Sequence, residues 1–121
     1  MLDHISLSVT DTDRSKAFYA KALAPLGYKL MAEYEGGFGV GRDGGSIIWV
    51  GHGAAQKPIA HLAFRAQDRK AVDAFYKAAI GAGAKDNGKP ALRENYSPTY
   101  YAAFVFDPDG NNVEAVCHDP A

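Results

Sequence analysis

Two stretches of the chain alternate strictly between polar and apolar positions. In DHISLSV (3–9), His4, Ser6 and Ser8 alternate with Ile5, Leu7 and Val9. In IAHLAFRA (59–66), His61, Ala63 and Arg65 alternate with Leu62 and Phe64. A period of two predicts a strand with one face in a core and the other outside it. After each stretch the period lengthens. Phe18, Tyr19, Ala22, Leu23 and Leu26 share one face at i, i+3, i+4 and i+7, as do Val72, Phe75, Tyr76, Ala79 and Ile80. That spacing predicts amphipathic helices over 13–23 and 68–80, with Phe18, Tyr19, Phe75 and Tyr76 in the core. Gly27, and Gly81 or Gly83, suit the helix C-terminal ends. Three strands follow the first helix, in YKLMAEY, GFGVGR and SIIWVGH. A weak strand around 84–93 follows the second, then YYAAFVF and NNVEAVC. Asp107-Pro108-Asp109-Gly110 predicts a tight turn between these last two, with proline at the second position and glycine in the left-handed one.

The two halves are copies of one unit. His4 and His61 are 57 residues apart, and so are Phe18 and Phe75, and Tyr19 and Tyr76. Later the separation becomes 65, for Gly45 with Gly110 and for Trp49 with Glu114, so the second copy carries about eight extra residues in its middle strands. Each copy reads strand, helix, three strands. The expected architecture is α+β: two βαβββ repeats, about 1–56 and 57–121, forming one domain over 1–121. Their curved mixed sheets would make a trough, with the helices on the outer, apolar faces and the polar faces lining the trough.

Composition narrows the function. The chain has 121 residues, a net charge of −1 and a single cysteine, Cys117. That balance offers no basic footprint for nucleic acid and no field for anionic membranes. A lone cysteine excludes an internal disulfide and a thiolate metal cluster. No apolar run reaches membrane-spanning length, and the N-terminus alternates where a signal peptide would have an apolar core. A reducing cytoplasm is the expected location.

The polar faces hold the candidate chemistry. His4 and His61 occupy equivalent positions on equivalent strands. Glu114 lies on the closing strand, on the face opposite Val113, Ala115 and Cys117. Two imidazoles and a carboxylate converging in one trough would make a facial triad, suited to Fe(II), Mn, Co, Ni or Zn and leaving positions open for substrate. A three-residue turn at Pro108–Gly110 would pair position 104 with 114 and place Tyr100, Ala102 and Phe104 on Glu114's face; a tighter register would put Tyr101 there. Trp49, Tyr100 and Phe104 are the expected substrate-contacting walls. His52 and His118 are expected at the rim or surface, and Arg65 and Glu94 as solvated charges.

DHISLSV, IAHLAFRA and DPDGNNVEAV together resemble the ligand pattern of the vicinal-oxygen-chelate superfamily, which includes glyoxalases, bleomycin-resistance proteins and extradiol dioxygenases. The resemblance covers essentially the whole chain. It implies His4, His61 and Glu114 as ligands of one divalent ion, a homodimer, and a small oxygen-chelating substrate. The reaction is left among lyase or isomerase, dioxygenase and thiol-transferase chemistry, and no catalytic base is assigned. Glyoxalase I carries a further carboxylate ligand and base where this chain has Trp49, and an indole does neither task. Extradiol dioxygenases carry a tyrosine at the position of Phe104 and a histidine shortly before it, where Asn95–Pro98 contains none; Tyr100 is the available substitute. Fosfomycin-type thiol transferases carry a threonine at the place of Ser6, and Arg42, Lys89 and Arg93 are the cations open to a phosphonate. A metal-free bleomycin-resistance-type binding protein, with a trough lined by Trp49, Tyr100, Phe104 and Phe106, is the alternative from a different class.

Overall fold

A computed structural model describes all 121 residues. The elements run β1 (Ile5–Val9), α1 (Thr12–Ala22), a 3-10 turn at Ala24–Leu26, β2 (Lys29–Tyr34), β3 (Gly37–Arg42), β4 (Gly45–His52), β5 (His61–Arg65), α2 (Arg69–Gly81), β6 (Lys85–Leu92), β7 (Tyr101–Phe106) and β8 (Asn112–Cys117). This is the βαβββ order twice. The strands form two four-stranded mixed sheets, β1-β4-β3-β2 and β5-β8-β7-β6. In each, the first strand runs parallel to the last and the other pairings are antiparallel.

The repeat holds down to single side chains. Asp11 caps α1 by accepting from the Arg14 N–H, and Asp68, 57 residues later, caps α2 by accepting from the Ala71 N–H. An aspartate at this position satisfies an amide that the helix cannot pair internally. Ser6 pairs with Trp49 in the first sheet, as Ala63 pairs with Glu114 in the second. Gly39 faces Trp49 as Phe104 faces Glu114.

The apolar strand faces meet the helices. Leu7, Val9, Phe38, Val40, Ile48 and Val50 join Phe64, Ala103, Val105, Val113 and Ala115 in one core that also takes Phe18, Tyr19, Val72 and Phe75 from the helices. Three details differ from the expectation. The 3-10 turn was not foreseen; Pro25 lies in it, and Gly27 closes it in the left-handed conformation at φ 86°. Tyr76 is only partly buried and points its hydroxyl to Asp86 at 3.0 Å, because its polar tip needs a partner that the core lacks. Ile80 stays 37% exposed, so the buried stripe of α2 ends at Ala79. The weak strand around 84–93 is real but irregular, with its register broken between Asp86 and Ala91. It lies at the edge of its sheet, where Pro90, lacking an N–H, is tolerated.

The turn before β8 is a hub. Asp107 is buried, and its Oδ1 accepts from the Asp109 and Asn111 N–H groups, each at 2.9 Å. Its Oδ2 accepts from Asn111 Nδ2 at 2.9 Å and from the Tyr19 hydroxyl at 2.5 Å. The Gly110 N–H closes the turn on the Asp107 carbonyl, with Gly110 at φ 90° as the left-handed residue. Asn111 passes the order on, its Oδ1 accepting from the Ala60 N–H while the Asn112 N–H donates to the Ala60 carbonyl. The start of β8 is thereby tied to the residue before His61. Thr10 adds a second tie from the first repeat, donating its N–H and hydroxyl to Asp109.

Removing the Tyr19 hydroxyl leaves a buried carboxylate short of one donor. Tyr19→Phe should cost about 1.5–3 kcal/mol, the range for a hydrogen bond to a charged group, read as a lower urea midpoint at unchanged slope. Burial first, then the Asp107 carboxylate, push the Tyr19 hydroxyl well above its ordinary value. The folded state therefore holds that proton after the unfolded chain has released it, so wild-type stability should fall as pH rises past about 10. Tyr19→Phe should flatten that slope; an unchanged slope would detach Tyr19 from it.

Candidate functional site

The register at the turn fixes the candidate site. Phe104 pairs with Glu114 across β7 and β8, as a three-residue turn requires. In the parallel pair, His61 lies opposite Asn112 and Ala63 opposite Glu114, so His61 and Glu114 are two register positions apart on the same face. Val113 and Ala115 point the other way, into the core.

On that face the Nε2–H of His61 donates to Glu114 Oε1 at 2.8 Å. The Glu114 side chain is 1% exposed and the His61 side chain 54% exposed. Tyr100 donates its hydroxyl to the other carboxylate oxygen, Oε2. Burying a carboxylate is tolerable when both oxygens are paired in this way. Phe104 lies beside His61 with ring centroids 6.3 Å apart, and the Arg93 guanidinium sits over Phe104 at 5.3 Å. Tyr100 touches Tyr96 at 5.0 Å and meets the exposed ring of His118 edge-on at 5.2 Å. His118 is thus at the rim, while Arg65 and Glu94 are exposed.

Tyr101 faces the opposite way, its hydroxyl on Asp73 of α2 at 2.7 Å. Tyr100 therefore takes the site-facing position that the wider turn predicts. The sequence marked it as a wall; its bond to Glu114 was legible only once the register was known. Burial first, then its bond to Glu114 and that group's charge, push the Tyr100 hydroxyl up to about 12.

The remaining candidate residues lie apart, on the first sheet. His4 lies one residue before β1 and is half-exposed, with its Nδ1 2.5 Å from Asp3 Oδ1. Trp49 shares a cavity of about 320 Å³ with Ser6, Ser8, Tyr34, His52 and Gln56. Trp49 lies tightly against Gly39, where an added Cβ would come within 2.9 Å of the indole. His61 and Glu114 are brought together, as are Tyr100 and Phe104 around them. His4 is not; no group of three or more His, Cys, Asp or Glu side chains in the chain is placed to hold one ion. A larger cleft of about 900 Å³, lined by Pro25, Tyr28, Arg42, Arg65 and Lys70 among others, contains neither His61 nor Glu114.

Imidazole nitrogen and carboxylate oxygen are both ligand types for a divalent ion, and His61 and Glu114 would supply one each once the proton that His61 Nε2 shares with Glu114 Oε1 is released. The half-exposed imidazole leaves the outer side of the pair accessible.

A doubled βαβββ fold of two open mixed sheets, with a histidine and a glutamate paired on a polar sheet face, defines a class of protein: the glyoxalase-like α+β fold. Residues 1–115 match the model of the Glyoxalase/Bleomycin resistance protein/Dioxygenase superfamily, and the chain belongs to that superfamily. It is similar to a glyoxalase/bleomycin resistance protein from Albidiferax ferrireducens, with 25% identity, a TM-score of 0.82, and 97% of this chain and 98% of that chain covered. Two further structures share the fold. A glyoxalase/bleomycin resistance protein/dioxygenase family enzyme from Burkholderia phytofirmans has 21% identity, a TM-score of 0.76 and 98% coverage of both chains. A glyoxalase-related enzyme from Fulvimarina pelagi has 16% identity and a TM-score of 0.73, covering 94% of this chain and 86% of that one. No curated protein matches the chain. No helix is long and apolar enough to cross a membrane.

The Tyr100 shift can be checked. The folded state should keep this proton between pH 10 and about 12, where the unfolded chain loses it, so its stabilising contribution should decline across that window. In ultraviolet phenolate titrations, the difference between wild type and Tyr100→Phe should report one group titrating near 12. In Glu114→Gln the midpoint should move down only part of the way, since burial is the larger cause. A full return to the ordinary tyrosine value would make the carboxylate the main cause.

Proposed function

We propose that this chain is a divalent-metal enzyme acting on a small, oxygen-chelating substrate, with His4, His61 and Glu114 as ligands of a Zn, Mn, Ni, Co or Fe(II) ion. The observation that carries the proposal is the pairing of the half-exposed His61 imidazole with the buried Glu114 carboxylate on one polar sheet face. His4 supports it by occupying the equivalent position in the first repeat. Because His4 is not grouped with the pair inside one chain, we infer a homodimer in which the first sheet of one copy faces the second sheet of the other. Such a two-fold arrangement forms two identical sites. It also places Trp49 of one copy opposite Tyr100 and Phe104 of the other, as walls of one trough.

When bound, the ion supplies Lewis-acid polarisation of substrate oxygens. The chain's own residues bind and orient. Glu114 is held by two donors, His61 exposes its ring, and Phe104 and Trp49 offer apolar walls. Tyr100, raised to about 12, keeps its proton at neutral pH. Trp49 has no group that takes a proton, which counts against an isomerisation drawing its base from that strand. Lyase, dioxygenase and thiol-transfer chemistry remain, in a cytoplasmic protein without nucleic-acid or membrane partners.

A metal-free binding protein is the second reading. It is favoured by the satisfaction of both Glu114 oxygens within the protein and by the cavity at Trp49. Metal analysis and sizing chromatography separate the two. The enzyme reading predicts a dimer with near-stoichiometric metal, lost by at least about tenfold in affinity in His4→Ala, His61→Ala and Glu114→Ala at unchanged circular dichroism. A protein that takes up none of the five ions would reverse the order of the two readings.

A further inference from the structure

The cleft of about 900 Å³ lies on the seam between the two repeats, away from the sheet face of His61 and Glu114. The 3-10 turn and the end of β3 bound it on one side, and the end of β5 and the first half of α2 on the other. Its floor is largely apolar. Pro25 and Leu26 come from the turn, and α2 turns only the small side chains of Ala71 and Ala74 toward it, which keeps it open. Tyr28 is held against the core by an edge contact with Phe64, ring centroids 5.3 Å apart. It carries the Arg42 guanidinium over its ring at 5.5 Å.

Three cations reach this cleft from three elements: Arg42 from β3, Arg65 from β5 and Lys70 from α2. Arg42 donates Nε to Asp43 and Nη1 to the Leu26 carbonyl. Arg65 and Lys70 have no carboxylate within ion-pair distance. Of the two carboxylates in the lining, Asp68 is spent on the Ala71 N–H as the cap of α2, which leaves Asp119 as the opposing charge. In a chain of net charge −1 this is a local excess of positive charge. The repeat does not impose it: 57 positions before Arg65, Lys70 and Ala71 stand Ser8, Asp13 and Arg14. Cations without partners beside an apolar floor match an amphipathic anion. Guanidinium and ammonium groups hold a carboxylate by charge-assisted hydrogen bonds, and the floor takes an apolar body out of water. We propose that this cleft binds a small organic acid, with its flat apolar body on Pro25, Tyr28 and Ala74 and its carboxylate toward Arg65 and Lys70. This site is separate from the ion proposed above and does not depend on it.

Calorimetric titration of the intact protein with 2-naphthoate, and with the uncharged 2-naphthamide, tests this. Wild type should bind one naphthoate per chain, at least about tenfold more tightly than naphthamide, as loss of a charge-assisted hydrogen bond implies. Arg65→Gln and Lys70→Gln should each weaken naphthoate several-fold and leave naphthamide unchanged. Ala74→Leu, which fills the floor from an exposed helix position, should weaken both ligands by a similar factor at an unchanged melting temperature. Lys77→Gln, on the same helix but outside the cleft, should match wild type. The absence of saturable naphthoate binding in wild type would overturn the proposal. So would equal affinity for the two ligands, or a loss in Lys77→Gln equal to that in Lys70→Gln. Naphthoate binding that survives the Arg65, Lys70 and Ala74 substitutions would also overturn it, by placing the ligand elsewhere on the protein.

Discussion

The buried carboxylate of Asp107 is the constraint on which the candidate site depends. It gathers Tyr19 from the first helix, two amides of its own turn and the side chain of Asn111. Asn111 in turn clamps Ala60, the residue before His61. A strand shifted by one residue would send Glu114 into the apolar core and Val113 to the polar face. Such a slip would also break the Asp107 network. The network and the apolar pattern thus select the same register, and this agreement is what specifies a single structure. The turn also joins the halves of the chain, through Tyr19 and Thr10 from the first repeat.

From this follows an asymmetry between two sheets of the same design. In the first, the place of the glutamate is taken by Trp49, packed over Gly39, and the neighbouring face offers Ser6, Ser8 and Tyr34. In the second, Phe104 replaces the glycine and Glu114 the indole. One scaffold occurs twice, and the two polar faces carry different side chains. One half holds a paired imidazole and carboxylate. The other offers an aromatic surface and two exposed histidines, His4 and His52.

Much of the fold was legible in the sequence because it rests on local periodicity. The alternation in DHISLSV and IAHLAFRA and the helical spacing of Phe18, Tyr19, Phe75 and Tyr76 predict the elements. The constant separation of 57 predicts the doubling. The Asp107–Gly110 turn narrowed the β7–β8 register to two choices, and the structure has the one that places Phe104 opposite Glu114 and Tyr100 on its face. Less legible was whatever depends on distances between elements. That Tyr19 is a donor to Asp107 cannot be read from its helix position, which marks it only as apolar. That Tyr100 reaches Glu114 depends on the path of an irregular loop after a strand with a broken register. Nor does strand equivalence alone say that His4 lies apart from His61 and Glu114, because it fixes faces within a sheet and not the approach of one sheet to another.

In the proposed dimer, one site draws His4 from one copy and His61 with Glu114 from the other. Mixing inactive variants tests it directly. His4→Ala and Glu114→Ala chains, each defective in metal binding alone, are combined, unfolded and refolded together, and the mixed dimer is isolated by differing tags. If sites are shared between chains, the mixed dimer contains one doubly defective site and one intact site, and it should bind one ion with wild-type affinity. If every site lies within a single chain, both sites of the mixed dimer carry a defect, and no binding should return.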